Sequence, residues 1–321
     1  MSIYISIPSL EDNDLESTIR QAYAEASNPE DIHIGLALMT NEKYFNWIKD
    51  IFSSYKNVTI KRFDPEKNIG VGIGRHNAMS MYSGQDYIMQ LDPHTHFEKG
   101  WDVLVTNLYK EAIVESNNEK VVLTTYLPAY FRTGEITKTD SDARYPFFEL
   151  DPYSGHSDHS NCLHASLPAY TDIPIKEANL NFFIKRKKFL PNVRFCAHFM
   201  FSDKSFYENT GLYKDSIFFE EEIIQAINLI DNGYALVFPN VKMPLWHMYT
   251  LPKEILAERS RLGVEDLSTN KINVEQIASK NFIEFINNPL NKNKVDKYRS
   301  YANLSNSLNA KKDCFVPKRF N

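Results

Sequence analysis

Asp92-Pro93-His94 sets a carboxylate and an imidazole two residues apart, near enough in the chain to reach one cation. Pro93 has no N–H to give to a ladder, so a strand should end there. The same tripeptide also fits a plainer arrangement, with Asp92 capping the next turn and His94 packed in a loop. His247 lies in the strand-like run Pro244-Leu245-Trp246-His247-Met248-Tyr249, where a buried imidazole needs a specific partner. It can be a satisfied core histidine, or it can complete a set of one carboxylate and two imidazoles with open positions. Such a mixed O and N set suits Mn²⁺ or Fe²⁺ better than Mg²⁺ alone.

Three further stretches carry candidate chemistry. Asn68-Ile69-Gly70-Val71-Gly72-Ile73-Gly74-Arg75 puts alternating glycines before a cation at a helix start. Backbone amides there can face an anion that Arg75 neutralises, although a flexible surface loop has the same composition. The G-x-G-x-G spacing, after the third expected strand, is not the dinucleotide fingerprint. Phe218-Phe219-Glu220-Glu221-Glu222 opens a helix with three acids in its first turn. The helix dipole alone accounts for such a cluster, yet paired carboxylates such as Glu221 and Glu222 can also orient an acceptor hydroxyl or stabilise a cationic sugar transition state. His156, Asp158, His159, Cys162 and His164 match no closed zinc spacing. Lys185-Arg186-Lys187-Lys188 reads as a solvated strand end rather than a phosphate track.

The rest of the chain limits what these residues can serve. It has 321 residues, 43% of them hydrophobic and 24% charged, with 11 Gly and 15 Pro, which excludes a disordered or collagen-like chain. A net charge of -5 argues against a broadly basic nucleic-acid binder. Cys162, Cys196 and Cys314 form no C-x-x-C pair, so neither a disulfide framework nor a thiolate zinc knuckle is indicated. No apolar run approaches the ~20 residues of a bilayer span, and no leader pattern precedes Ile3-Tyr4-Ile5-Ser6-Ile7. The expectation is a cytoplasmic protein in a reducing compartment, without a membrane partner.

The elements expected to position the candidates alternate. Residues 2 to 7, 32 to 38 and 58 to 63 read as strands, with helices between them. The first helix carries Leu15, Ile19, Ala22, Tyr23 and Ala26 inward, and the second carries Phe45, Ile48, Ile51, Phe52 and Tyr55. A helix at about 75 to 83 leads into the strand Tyr87 to Asp92. Trp101, Leu104, Leu108 and Ala112 then recur at helical spacing before the strand Val121 to Thr124. This alternation argues for a parallel sheet covered on both faces, with ligands beyond the carboxyl ends of its strands. That rule draws Pro8-Ser9, the Gly70 to Arg75 loop and Asp92 together. Residues 127 to 180 lose periodicity and read as a lid or binding region. Strands follow at 181 to 184, 194 to 201, 234 to 238 and 245 to 249, with a helix at about 219 to 231. Beyond Pro252, helical pieces at 253 to 262 and 272 to 287 read as an ancillary tail.

In this order the residues resemble a known family. Ile5-Ser6-Ile7-Pro8-Ser9, Ser27-Asn28-Pro29-Glu30, Gln90-Leu91-Asp92-Pro93-His94, Phe97-Glu98-Lys99-Gly100-Trp101-Asp102, Phe218 to Glu222 and His247-x-Tyr249 are similar to the cytoplasmic polypeptide N-acetylglucosaminyltransferases that modify hydroxyproline. The resemblance implies an α/β fold of the GT-A type, a Rossmann-like mixed sheet sandwiched by helices. It would occupy residues 1 to 250 and be followed by a mainly helical extension, 251 to 321. It implies metal-dependent, retaining transfer of GlcNAc or a related hexose from a UDP-sugar to a hydroxyl. Asp92 and His94 would hold Mn²⁺ (or Mg²⁺) against the diphosphate, with His247 as third ligand. Pro8 and Ser9 would border the nucleotide, Arg75 would meet its phosphates, and Glu221 and Glu222 would lie near the reacting sugar and acceptor.

The sequence departs from the family pattern at Leu10-Glu11, Pro93, His96 and Glu220. The acceptor therefore stays open among protein, glycan and modified-nucleobase hydroxyls. Two other functions fit the same residues. A non-haem Fe²⁺ oxygenase also uses two histidines and a carboxylate, but on an all-β barrel and usually as H-x-D. A non-catalytic nucleotide-sugar-binding module would keep the site without turnover.

Overall fold

A computed structural model describes residues 1–65, 70–127, 188–218, 220–239, 241, 243–248 and 271–301. Strand β1 (Ile3–Ser9) is buried along its whole length. Its apolar residues alternate between two cores, Ile3, Ile5 and Ile7 facing one and Tyr4 the other. On one side β1 runs parallel to β2 (Ile32–Met39), which runs parallel to β3 (Val58–Phe63). On its other side β1 pairs in parallel with β4 (Tyr87–Leu91), Ile3 opposite Tyr87. The chain thus steps outward through three strands and then returns to the far side of the first. That reversal creates a switch point between the carboxyl ends of β1 and β4, the position at which open α/β sheets bind their ligands.

Helices α1 (Leu15–Ala24), α2 (Glu42–Ile51) and α3 (Val71–Met79) make the three crossovers. In α1, Leu15, Ile19 and Ala22 are buried as their spacing predicts, while Arg20 and Glu16 pair on the outer face at 2.8 Å. Asn41 caps α2 by accepting the Tyr44 N–H at 3.0 Å. After β5 (Thr95–Phe97) come α4 (Trp101–Ser116) and β6 (Val121–Thr124). The buried stripe of α4 is Trp101, Val105, Tyr109 and Ala112, and Leu104, expected inward, is 46% exposed. Trp101 and Ala112 fit two helical phases, and the core took the one that buries Tyr109.

The second half adds β7 (Phe189–Pro191), β8 (Phe199–Asp203), α5 (Ser205–Asn209), α6 (Glu220–Asp231), β9 (Ala235–Pro239) and β10 (Leu245–His247). The large sheet has eight strands in the order β3-β2-β1-β4-β8-β6-β9-β7. It is parallel through β4, as the alternation predicts. It then turns mixed, because β8 runs antiparallel to both β4 and β6, and β7 antiparallel to β9. The run 194 to 201, expected as one strand, becomes regular only at Phe199. Before it, Thr124 and Asn192 side chains hold the backbone: Cys196 N–H donates to Thr124 Oγ1 at 2.7 Å and Arg194 N–H to Asn192 Oδ1 at 3.0 Å. Strand β10 pairs with β5 in a separate antiparallel sheet, with His247 opposite Thr95.

Helices α7 (Lys271–Asn287) and α8 (Lys292–Tyr301) complete the described chain. Their Ala278, Phe282, Phe285, Val295 and Tyr298 belong to the same apolar cluster as Ile223, Ile224 and Ile227 of α6. The Tyr298 and Tyr301 hydroxyls donate to the carbonyls of Val193 and Asn192. An ancillary tail would share no core; these helices buttress α6. No helix among the described residues is long and apolar enough to cross a membrane. The irregular region 128 to 180, the expected strand 181 to 184 and the expected helix 253 to 262 lie outside the described residues.

Candidate active site

Strand β4 stops at Leu91, and the next three residues form a pinned turn before β5. The Thr18 hydroxyl of α1 donates to the Pro93 carbonyl at 2.7 Å and accepts the Thr95 N–H at 3.1 Å, while Thr95 Oγ1 donates to the Asp92 carbonyl at 2.9 Å. Asp92 and His94 therefore leave a fixed backbone. The small β5–β10 sheet delivers His247 to the same place, and Met248 N–H closes it on the His94 carbonyl at 3.2 Å. His247 Nε2 lies 3.4 Å and His94 Nε2 4.0 Å from Asp92 Oδ2. One ligand atom from each of the three residues falls within 4.8 Å of the others. The sequence expectation of a shared centre built on Asp92, His94 and His247 thus has its geometry.

The electrostatics fit a cation. Burial opposes ionisation of Asp92, but Arg75, then His247 and His94, hold its carboxyl well below the ordinary range. Burial lowers His247 to about 4 against the pull of Asp92, leaving a neutral imidazole with a lone pair to offer. A hard oxygen and two imidazole nitrogens form a donor set that suits a divalent ion such as Mn²⁺ or Fe²⁺.

Arg75 occupies a different position from the one its glycine-rich context implies. Helix α3 begins at Val71, so Gly72, Gly74 and Arg75 sit inside it. A Cβ on Gly72 would come within 2.6 Å of the Ser216 carbonyl oxygen, and one on Gly74 within 2.7 Å of Met39 Cε. These two glycines let α3 approach its neighbours, so close packing accounts for their spacing. Gly70 opens the helix at φ 104°, and Asn68 and Ile69 lie outside the described residues. Arg75 is 6% exposed, and its guanidinium spans two carboxylates, 2.8 Å from Asp92 Oδ1 and 2.8 Å from Glu221 Oε2. Burial works against its charge, and the two carboxylates more than offset this and raise its pKa.

The three acids opening α6 divide the work. Glu220 caps the helix start, accepting the N–H groups of Ile217 at 2.7 Å and Phe218 at 2.9 Å. Glu221 is fully buried, and burial pushes its carboxyl up to about 7 despite Arg75. Glu222 is half-buried; it accepts the Tyr126 hydroxyl at 3.1 Å and the Ala197 N–H at 3.1 Å, and burial raises its pKa. Pro8 and Ser9 end β1 at the switch point, both buried. Ser9 Oγ accepts the Asp12 N–H at 3.3 Å, which links the end of β1 to the turn beside His94.

Several neighbours escaped the sequence reading. Asp12 carries a carboxylate 3.1 Å from His94 Nδ1. His198 stacks on His247, with ring centroids 4.2 Å apart, and accepts the Leu127 N–H at 3.2 Å. The acidic run Glu11, Asp12, Asp14 after a switch-point strand was a usable signal for Asp12. His198 and Tyr126 gave none, because they lie 49 and 96 residues from the partners they meet. The His156 to His164 group and Lys185 to Lys187 lie outside the described residues.

The glycosyltransferase (GlcNAc) family model matches residues 48–257. A comparison of the sequence with curated proteins finds no match. Among solved structures, the crystal structure of GalNAc-T7 with UDP, GalNAc and Mn²⁺ aligns at TM-score 0.52 and 12% identity, over 94% of this chain and 55% of that one. The present chain thus spans little more than half the length of that neighbour. The structure of S. aureus TarS 1-349 aligns at TM-score 0.47 and 10% identity, over 94% of this chain and 71% of that one. An α/β sheet with this topology is not the all-β barrel that the oxygenase reading required. With more than half of its residues matched and the sheet built as described, the chain belongs to the glycosyltransferase (GlcNAc) family and has the GT-A fold.

Proposed function

We propose that this glycosyltransferase moves GlcNAc or a related hexose from a UDP-sugar to a hydroxyl acceptor, with retention of anomeric configuration, using Mn²⁺ (or Mg²⁺) held by Asp92, His94 and His247. The observation that carries the reading is the convergence of those three donors at the switch point between β1 and β4. The matched family's GlcNAc label and the UDP, GalNAc and Mn²⁺ of GalNAc-T7 support the choice of donor and ion. A divalent ion bound there supplies Lewis-acid stabilisation of the charge that develops on the departing diphosphate.

The protein's own groups divide the remaining tasks. Arg75 keeps Asp92 ionised and aimed, and adds positive potential beneath the place where phosphate charge grows. Pro8 and Ser9 border the nucleotide from the end of β1. Glu222, less buried than Glu221, would meet sugar or acceptor, with Tyr126 and the Ala197 N–H fixing its carboxylate. Glu221 lies beneath and acts through Arg75. The acceptor is a hydroxyl on a polypeptide, a glycan or a modified nucleobase.

The test is UDP release from a panel of UDP-sugars with Mn²⁺ and no acceptor. Slow cleavage of one donor, lost on chelation, is the expected result, and proton NMR of a transfer product should show the donor's anomeric configuration. UDP binding without cleavage of any UDP-sugar would contradict the proposal.

A further inference from the structure

A neutral imidazole offers a cation one ring nitrogen, and the partner of the other nitrogen decides which. His94 Nδ1 lies 3.1 Å from Oδ2 of Asp12, whereas its Nε2 is the nitrogen 4.0 Å from Asp92 Oδ2. Asp12 follows β1 and His94 follows β4, so the parallel pairing of those neighbouring strands sets the two turns side by side. Asp12 is only 3% exposed and is held before His94 meets it. Its Oδ1 accepts the Asp14 N–H at 2.8 Å, its own N–H donates to Ser9 Oγ at 3.3 Å, and its carbonyl accepts the Tyr44 hydroxyl at 3.2 Å. The carboxylate is anchored, and the imidazole must conform to it.

We infer that Asp12 is a positioning residue of the metal centre: it keeps the His94 proton on Nδ1, so that the Nε2 lone pair faces the cation shared with Asp92 and His247. The inference rests on the metal reading given under the proposed function. A carboxylate that accepts from the non-ligating nitrogen fixes both tautomer and ring orientation, and its loss typically weakens metal binding by about 10–100-fold. A carboxylate that only shaped the turn would need the Asp14 N–H alone.

Asp12→Asn separates the two roles. Asp12 Oδ1 accepts the Asp14 N–H and Oδ2 faces His94 Nδ1, and an amide has a single acceptor oxygen. If the amide oxygen keeps the Asp14 N–H, the amide NH₂ faces His94. His94 must then accept on Nδ1 and carry its proton on Nε2, where the cation would bind.

The experiment uses the ¹⁵N-labelled full chain at mildly alkaline pH. Long-range ¹H–¹⁵N imidazole spectra of the metal-free protein report the His94 tautomer, and electron paramagnetic resonance of free Mn²⁺ reports affinity. The expected result is an Nδ1–H tautomer in wild type. In Asp12→Asn it is an Nε2–H tautomer, Mn²⁺ binding weaker by about 10–100-fold and an unchanged far-UV spectrum. An Nε2–H tautomer in wild type, or a folded variant that binds Mn²⁺ within about twofold of wild type, would overturn the inference. The wild-type spectrum decides the matter even if the variant folds poorly. Failure of wild type to bind Mn²⁺ at all would instead defeat the metal reading, and this role of Asp12 with it.

Discussion

Asp92→Ala should lower Mn²⁺-dependent UDP-sugar turnover by about a thousandfold or more while leaving the fold intact. The variant loses the one oxygen donor of the cluster, and what remains around the vacated position is His94, His247 and the Arg75 guanidinium. Two neutral imidazoles beside a guanidinium that no longer has the Asp92 charge to offset it hold a divalent ion far more weakly than the full set does. Loss of about 4 kcal/mol of transition-state stabilisation corresponds to that thousandfold change. The fold should survive because Arg75 keeps its second partner, Glu221, at 2.8 Å, and the Asp92 backbone remains pinned by Thr95. UDP release, Mn²⁺ titration and thermal melting of the same preparation check all three parts. Wild-type turnover in a folded Asp92→Ala protein would refute the assignment.

The largest stability effect is expected at Arg75. Arg75→Met keeps comparable length but leaves Asp92 and Glu221 facing a neutral side chain, each having lost a 2.8 Å ion pair in a buried site. Removing one member of such a buried network costs about 3–5 kcal/mol, chiefly because its partners' charges are stranded. Glu221 can escape by taking up a proton, since its carboxyl is already pushed up to about 7. Asp92 depends on Arg75 more heavily. Arg75→Met with Glu221→Gln should therefore be more stable than Arg75→Met alone, a coupling that a double-mutant cycle in denaturant would measure. Arg75→Lys should not restore wild-type stability, because an ammonium lacks the planar fork that reaches both carboxylates. An Arg75→Met protein within about 0.5 kcal/mol of wild type would show that the bridge contributes little.

What could be read from the sequence follows from what sets each feature. The strand-helix alternation through Leu91 is encoded locally, by β-branched runs such as Ile3 to Ile7 and by stripes such as Leu15, Ile19 and Ala22, and it reached the correct parallel half-sheet. The antiparallel insertion of β8 between β4 and β6 has no local signature, since a strand's sequence does not state its neighbour's direction. The three candidate ligands could be named because D-x-H at a strand end and a histidine inside an apolar strand are unusual residues for those places. The clamp on Asp92 could not, because it depends on helix α3 packing close enough for Arg75 to reach across to α6. The glycines at 72 and 74 were visible, but they resemble an anion loop until Ser216 and Met39 are seen against them. Tyr126 and His198 join the site only through long-range pairing, and their types alone do not separate them from core and loop residues, whereas the acidic run after β1 did mark the neighbourhood of Asp12.

The most direct test is a crystal grown with Mn²⁺ and UDP, with anomalous data collected at the manganese edge. One manganese peak is expected, bonded to an oxygen of Asp92, Nε2 of His94 and Nε2 of His247, with diphosphate oxygens completing its shell. A manganese ion bound elsewhere, or UDP seated at the β1 and β4 ends with these three side chains engaging no ion, would contradict this expectation.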